Sequence, residues 1–82
     1  MNLEIVSPEK ILYSGTVDAV TLPGLLGSFT ILDRHAPIIS ILSQGKLTYN
    51  VKGNDTELAI SGGFAEMKNN VVSVCIESLM ES

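Results

Sequence analysis

Residue types that would point to catalysis or metal binding are scarce in this 82-residue chain. It has one cysteine, so no internal disulfide can form, and a reducing compartment is favoured. It has one histidine, and one histidine with one cysteine does not provide the ligand spacing of a metal site. Only five residues are basic and the net charge is −4, which argues against nucleic acid because phosphate binding depends on clustered Lys and Arg.

Long apolar runs are also missing from the chain. None approaches the roughly 20 residues needed to cross a bilayer. The first residues, Met1-Asn2-Leu3-Glu4, lack the basic and apolar regions of a secretory signal. We also expect no direct insertion into lipid and, since basic residues are few, no adsorption to an anionic membrane surface.

Apolar residues, in contrast, are abundant. They make up 45% of the chain while charged residues make up 17%, which is too apolar for disorder. The length allows a single domain, residues 1–82, and so small a domain buries a smaller share of its surface than a large one does. We therefore expect part of its apolar surface to be reserved for partners.

A period of two dominates the hydrophobic pattern, and it predicts β-strands. Apolar and polar residues alternate through residues 46–52, and residues 71–77 alternate with a less polar second face. Residues 36–42 contain three isoleucines, which favours a strand over a helix. With turn signals at short intervals, the pattern predicts an all-β fold, a flattened sandwich or barrel of about nine or ten short, mostly antiparallel strands. Residues 78–82 are predicted to be a frayed tail.

Two pairs of glycines are predicted to have structural roles. Gly24 and Gly27 lie on either side of a short turn that has no lysine and no following helix, so the segment is not a phosphate loop. We expect these two to supply positive φ in a hairpin. Gly62 and Gly63 join two predicted strands, where a bulge or sharp bend is expected.

The cluster Asp33-Arg34-His35 raises the possibility of catalysis, because an aspartate can orient a histidine as a base. Adjacent residues on a strand or turn point apart, however, and no nucleophile motif lies beside them. A turn or a partner contact is the favoured interpretation. Cys75 lies between Val74 and Ile76 and is expected to be a small packed hydrophobe rather than a reactive thiol.

A set of short motifs occurs in an order that resembles the epsilon subunit of the F-type ATP synthase. Each motif is weak alone, and the resemblance rests on their order from Leu3 to about Glu77. The motifs include Leu3-Glu4-Ile5-Val6-Ser7-Pro8-Glu9, Tyr13-Ser14-Gly15, Val17-Asp18-Ala19-Val20-Thr21-Leu22-Pro23-Gly24, Gly27-Ser28-Phe29-Thr30-Ile31-Leu32, His35-Ala36-Pro37, Ser61-Gly62-Gly63-Phe64-Ala65-Glu66 and Val71-Val72-Ser73-Val74.

The resemblance implies a non-catalytic subunit of the central stalk that couples the gamma subunit to the membrane c-ring. It implies a peripheral position at the cytoplasmic face of the energy-transducing membrane, with no cofactor and no nucleotide bound. By position, the ring contacts would be Ser28, Asp33, Arg34 and His35. The gamma contacts would be Ser7 and Ser40, and the loop tip Leu25-Leu26 is a further possible subunit contact.

The chain departs from the family pattern in one major respect. Many relatives continue into a C-terminal helical hairpin that can brake ATP hydrolysis, and these 82 residues contain none, so only the coupling role is inferred. Two alternatives come from other classes of protein. One is a free-standing adaptor that binds peptides at a sheet edge. The other is a small enzyme that uses Asp33 and His35 in a deep pocket.

Overall fold

A computed structural model describes residues 1–80, and it confirms the all-β prediction. The described part has nine strands and no helix. Residues 36–42 contribute a strand, as predicted. The strands are β1 (Asn2–Val6), β2 (Ile11–Thr16), β3 (Ala19–Gly24), β4 (Gly27–Leu32), β5 (Ile38–Leu42), β6 (Gly45–Val51), β7 (Asn54–Ile60), β8 (Gly63–Lys68) and β9 (Val71–Ile76).

The strands form one mixed sheet that curls into a half-barrel. Its order is β2-β1-β9-β8-β5-β3-β6-β7, and β4 pairs with β3 beside this path. Most pairs are antiparallel, and β1 and β9 are parallel. Strand β3 joins the two halves of the sheet, because its Gly24 end pairs with β5 whereas Ala19 to Thr21 pair with β6.

Two tight hairpins have the backbone geometry that favours asparagine and glycine. In the turn between β6 and β7, Lys52 has a φ of 52° and Gly53 a φ of 85°. In the turn between β8 and β9, Asn69 and Asn70 have φ values of 52° and 60°. Positive φ at both central residues is typical of type I′ turns, whose twist matches that of the flanking strands.

The hairpin between β3 and β4 is built differently from these two. Gly27 has a φ of 136°, as expected for a glycine in this turn, but the expectation of a positive φ at Gly24 is wrong. Gly24 is needed for space instead. A β-carbon there would lie 2.6 Å from the Gly27 carbonyl oxygen and 2.9 Å from the Phe29 ring.

The core lies inside the curl of the sheet and consists of alternate residues along the strands. In β1, for example, Leu3 and Ile5 are buried while Asn2 and Glu4 are exposed. Full burial of one such aliphatic side chain stabilises the fold by about 1.5–3 kcal/mol. The buried apolar residues are Leu3, Ile5, Val17, Val20, Leu22, Ile31, Leu42, Leu47, Tyr49, Ile60, Ala65, Met67, Val72, Val74 and Ile76.

The segment after β9 returns to the edge of the sheet beside β7. Leu79 forms a bridge with Ile60, and the backbone N–H of Met80 donates to the Ala59 carbonyl at 2.8 Å. The first residues of the predicted frayed tail are therefore hydrogen-bonded to the sheet. The remainder of that tail, residues 81 and 82, lies outside the described residues.

Candidate functional site

The turn between β4 and β5 presents the Asp33-Arg34-His35 cluster at one end of the sheet. Arg34 has a φ of 64°, and the His35 backbone N–H donates to the Leu32 carbonyl at 3.0 Å, which closes the turn. All three side chains are exposed. The Nδ1 atom of the His35 ring lies 2.7 Å from the Ala36 carbonyl oxygen, so its nearest partner is local.

The Asp33 carboxylate is held by groups other than the histidine. Its Oδ1 atom accepts a hydrogen bond from Asn70 Nδ2 at 2.9 Å and lies 3.1 Å from the amino group of Met1. Its Oδ2 atom is 3.7 Å from Arg34 Nε. The hydrogen bonds from Asn70 and from the amino group lower the pKa of Asp33, and the charges of the amino group and Arg34 act in the same direction. Asp33 and His35 therefore do not form a base-and-orienter pair in the geometry that catalysis needs.

Ser28, the fourth predicted ring contact, lies at the other end of β4. It is exposed and pairs with Pro23 beside the hairpin tip, whereas Asp33 follows the last residue of the strand. Five residues of extended chain separate the two positions by about 16 Å. The structure thus brings Asp33, Arg34 and His35 together in one turn and places Ser28 away from them.

The two predicted gamma contacts, Ser7 and Ser40, have different surroundings. Ser7 lies in the turn after β1, where its Oγ accepts hydrogen bonds from the backbone N–H groups of Glu9 at 3.4 Å and Lys10 at 3.3 Å. Ser40 pairs with the buried Ala65 and is itself half-buried, so its side chain is on the core side of β5. The outward positions on that strand belong to isoleucines.

A row of apolar side chains crosses the outer face of five neighbouring strands, and it was not found by reasoning from the sequence. Strand register aligns these residues one beside the next, and all but the half-buried Val6 are exposed. Ile11 is 63% exposed and Ile41 is 62% exposed. At about 4.8 Å per strand, the row extends for about 19 Å. We call it the apolar row; it consists of Ile11, Val6, Cys75, Phe64 and Ile41.

The sequence carried a partial signal for the apolar row. The second face of residues 71–77 is less polar than that of a usual half-buried strand, and two of the three isoleucines in β5 point outward. The expectation that Cys75 is a small packed hydrophobe is wrong. It lies on the outer face of β9 beside Phe64 and is exposed, because its neighbours Val74 and Ile76 occupy the core face.

The loop tip between β3 and β4 extends this apolar surface. Leu25 is 61% exposed and Leu26 is fully exposed, and the Leu25 N–H donates to the Ile41 carbonyl at 2.9 Å. The tip and β5 form the walls of an open groove of about 380 Å³ whose lining also includes Phe29 and Ile39. Apolar surface is therefore continuous from the apolar row to the tip.

Within residues 1–80, no three His, Cys, Asp or Glu side chains are grouped so that they could hold a metal ion. The part of the chain that the structure describes has no helix of the length and apolarity that a membrane span requires.

The model of the family described as "ATP synthase, Delta/Epsilon chain, beta-sandwich domain" matches residues 1–82. The chain belongs to this family. The resemblance inferred from the ordered motifs is thereby confirmed.

Curated relatives in the family carry the name ATP synthase epsilon chain. That of Nitratidesulfovibrio vulgaris strain DP4 is 44% identical over 78 residues, which cover 95% of this chain and 58% of the relative. That of Carboxydothermus hydrogenoformans is 45% identical over 74 residues, which cover 90% of this chain and 55% of the relative. The chain thus spans little more than half the length of these relatives.

Solved structures show the same fold in two mitochondrial assemblies. A chain of the Euglena gracilis ATP synthase, in a structure of OSCP, F1 and the c-ring, matches with a TM-score of 0.89 at 23% identity, covering 95% of this chain and 51% of that chain. A chain in the central stalk and c-ring structure of the Tetrahymena thermophila enzyme matches with a TM-score of 0.80 at 17% identity, covering 98% of this chain and 65% of that chain. At sequence identities of 23% and 17%, these two matches show a shared fold and no more.

Proposed function

We propose that this chain is a non-catalytic subunit of the central stalk of a rotary F-type ATP synthase. In this role it couples the gamma subunit to the membrane c-ring, so that ion-driven rotation reaches catalytic sites in other subunits. Membership of the delta/epsilon family supports the proposal, and the apolar row is the structural observation that carries it.

The apolar row has the properties of a surface that another subunit covers. Contiguous exposed apolar patches are uncommon on solitary proteins and mark interaction sites. Ser7 follows Val6 directly, and Ser40 precedes Ile41. The two positions expected to face gamma therefore lie next to members of the row. We infer that gamma covers the apolar row and that Ser7 lies at the margin of this interface, whereas the Ser40 side chain is on the core side of β5 and would not reach gamma.

The free edge of β4 is the proposed contact with the c-ring. Among the described residues, β4 pairs with β3 on one side and with no strand on the other. Ser28 at its start and Asp33, Arg34 and His35 after its end are exposed along this edge. An edge with polar ends suits the polar loops of a membrane ring. Ser28 lies about 16 Å from Asp33 by strand geometry. If the whole edge faces the ring, this distance is the length of the contact, and all four predicted residues can belong to it.

The proposed role requires neither catalysis nor a bound cofactor or nucleotide in this chain. Asp33 and His35 have separate hydrogen-bond partners, which gives the enzyme alternative no support. A long unpaired apolar edge strand would support the alternative of a free-standing adaptor. The first four residues of the edge strand β7 are exposed and polar or charged, and the family match does not favour this alternative. We place the chain peripherally at the cytoplasmic face of the energy-transducing membrane.

A charge in the apolar row tests the proposal. Ile41→Asp should leave the unfolding free energy of the isolated chain within about 1 kcal/mol, since the site is exposed and strand preferences span about that range. It should weaken association with gamma at least tenfold, because an unpaired charge would be buried at the interface.

Leu79→Asp is the matched control for this experiment. Leu79 is 44% exposed and lies beside β7, at the opposite end of the strand order from β2. Association with purified gamma and ring subunits, and ATP-driven ion transport by the assembled complex, should be affected by Ile41→Asp and not by Leu79→Asp. Normal assembly of the Ile41→Asp chain would reject the proposed gamma interface.

A further inference from the structure

Asn70 connects two turns that are far apart in the chain. Its Nδ2 group donates to Asp33 Oδ1 at 2.9 Å, and its Oδ1 atom accepts the backbone N–H of Arg34 at 2.8 Å. Both ends of one side-chain amide are therefore used on the turn between β4 and β5, which is 36 residues away in sequence at Arg34. A planar amide that donates on one side and accepts on the other defines an orientation as well as a distance.

The residue is itself held firmly in place. It is the second residue of the tight hairpin between β8 and β9, and Lys68 pairs with Val71 on either side of that hairpin. Its own carbonyl accepts the backbone N–H of Asn2 at 3.1 Å, which connects the hairpin to the start of β1. The amide is thus presented from regular, hydrogen-bonded structure.

The turn that receives these bonds has mostly local contacts of its own. The His35 N–H bonds to Leu32 and the His35 ring to Ala36, and both partners lie within three residues. Local bonds set the shape of the turn but not its direction relative to the sheet. Two distant groups supply that direction: the amino group of Met1 lies 3.1 Å from Asp33 Oδ1, and Asn70 contacts both Asp33 and the Arg34 N–H, so that Asn70 alone holds the Arg34 side of the turn.

We propose that Asn70 is a positioning residue for the ring contact: its side-chain amide sets the orientation in which Asp33, Arg34 and His35 are presented. This inference rests on the proposed function, in which that turn faces the c-ring. An aspartate at position 70 would place a second carboxylate against Asp33. A glycine would leave both the Asp33 carboxylate and the Arg34 N–H without this partner.

Asn70→Gly removes the side-chain amide and keeps the backbone conformation of the hairpin. Asn70 has a φ of 60°, which glycine adopts without strain, so the hairpin is retained. Asn69→Gly is the matched control, since Asn69 has a φ of 52° in the same turn and its side chain has no described bond to the segment 33–37.

The first measurement is hydrogen exchange of the Arg34 amide in the free chain. We expect Asn70→Gly to accelerate this exchange at least tenfold and Asn69→Gly to leave it within twofold. Asn70→Asp alone sets a second carboxylate against Asp33 and should also accelerate the exchange. Adding Asp33→Asn provides a donor at position 33 for the acceptor at position 70, and this pair should recover the protection that Asn70→Asp removes. Unchanged exchange in Asn70→Gly would overturn the proposal at this first step.

The second measurement is made in the complex assembled with gamma and the c-ring. We expect Asn70→Gly to lower ring affinity or coupled ion transport at least threefold and Asn69→Gly to leave both within twofold. If Asn70→Gly exposes the Arg34 amide but coupling stays normal while His35→Ala reduces it, the positioning role is wrong and the proposed function survives. If the unmodified chain itself fails to join the stalk, the proposed function fails, and the positioning role is rejected with it.

Discussion

Gly63, the first residue of β8, lies so close to β9 that a β-carbon on it would overlap the Cys75 carbonyl oxygen and lie 2.8 Å from the Cα of Ile76. Its φ of 151° is also one that other residues rarely adopt. We predict that Gly63→Ala lowers the unfolding free energy by at least about 2 kcal/mol. Strained φ alone costs about 1–3 kcal/mol, and the overlap with backbone cannot be relieved by a change of rotamer. Urea unfolding of the purified chain measures this loss.

Two further variants, Gly27→Ala and Gly62→Ala, distinguish the free-energy cost of backbone strain from the cost of steric overlap. Gly27 has a φ of 136° with nothing within 4 Å of a β-carbon, so its variant reports backbone strain alone. At Gly62 the nearest atom is the flexible carboxylate of Glu77, which can rotate away. A loss at Gly63 no larger than the loss at Gly27 would contradict the steric explanation.

The exposed tip between β3 and β4 should contribute little to folding. We predict that the double change Leu25→Ser with Leu26→Ser alters the unfolding free energy by no more than about 0.5 kcal/mol, as expected for surface positions. Association with the stalk and ring subunits should weaken, since the tip continues the apolar surface at Ile41. Denaturant melts and a pull-down with those subunits measure the two effects. A large loss of stability, or unchanged assembly, would show that the leucines have no contact role.

His35 should affect assembly and not folding. Its side chain is exposed, and its described hydrogen bond is to the adjacent Ala36. We predict that His35→Ala changes the unfolding free energy by no more than about 0.5 kcal/mol, equivalent to a shift of about 2–4 °C in Tm for a domain of this size. Coupled ion transport by the assembled complex should fall. A larger shift measured by calorimetry would show that the histidine is structural.

The contribution of Asp33 to the unfolding free energy should depend on pH, because the pKa of its carboxyl group is lowered. The hydrogen bond from Asn70 is the largest cause, followed by the bond from the amino group of Met1. Because the folded pKa is below the ordinary value of 3.8, the stabilisation by Asp33 is fully present above that value and is lost as pH falls through the folded pKa.

Comparison with Asp33→Asn isolates this effect. The unfolding free energies of the two proteins should differ at pH 6 and converge as the pH falls below about 4. The difference should be small, since the carboxylate is exposed and screened by solvent. A difference that grows on acidification would mean that the sign of the pKa shift is wrong.

The amino-acid sequence by itself determined the strands, the tight turns and the family. Alternation with a period of two specifies which residues of one strand share a face. Turn chemistry at Lys52-Gly53 and Asn69-Asn70 specifies where the chain reverses. Both are local properties, which is why nine strands and the family pattern could be predicted from residue order.

Only the tertiary structure decided which face of a strand is covered and which distant residues meet. Alternation already assigns Cys75 to the face of β9 that carries Ser73, but only the strand pairing shows that Cys75 lies between Val6 and Phe64 in the apolar row. Strand β5 has isoleucines on both faces, so the inward direction of Ser40 could not be predicted from alternation. The bond between Asn70 and Asp33 joins residues 37 apart. Such a contact depends on the order of strands in the sheet, which the local pattern of residues does not specify.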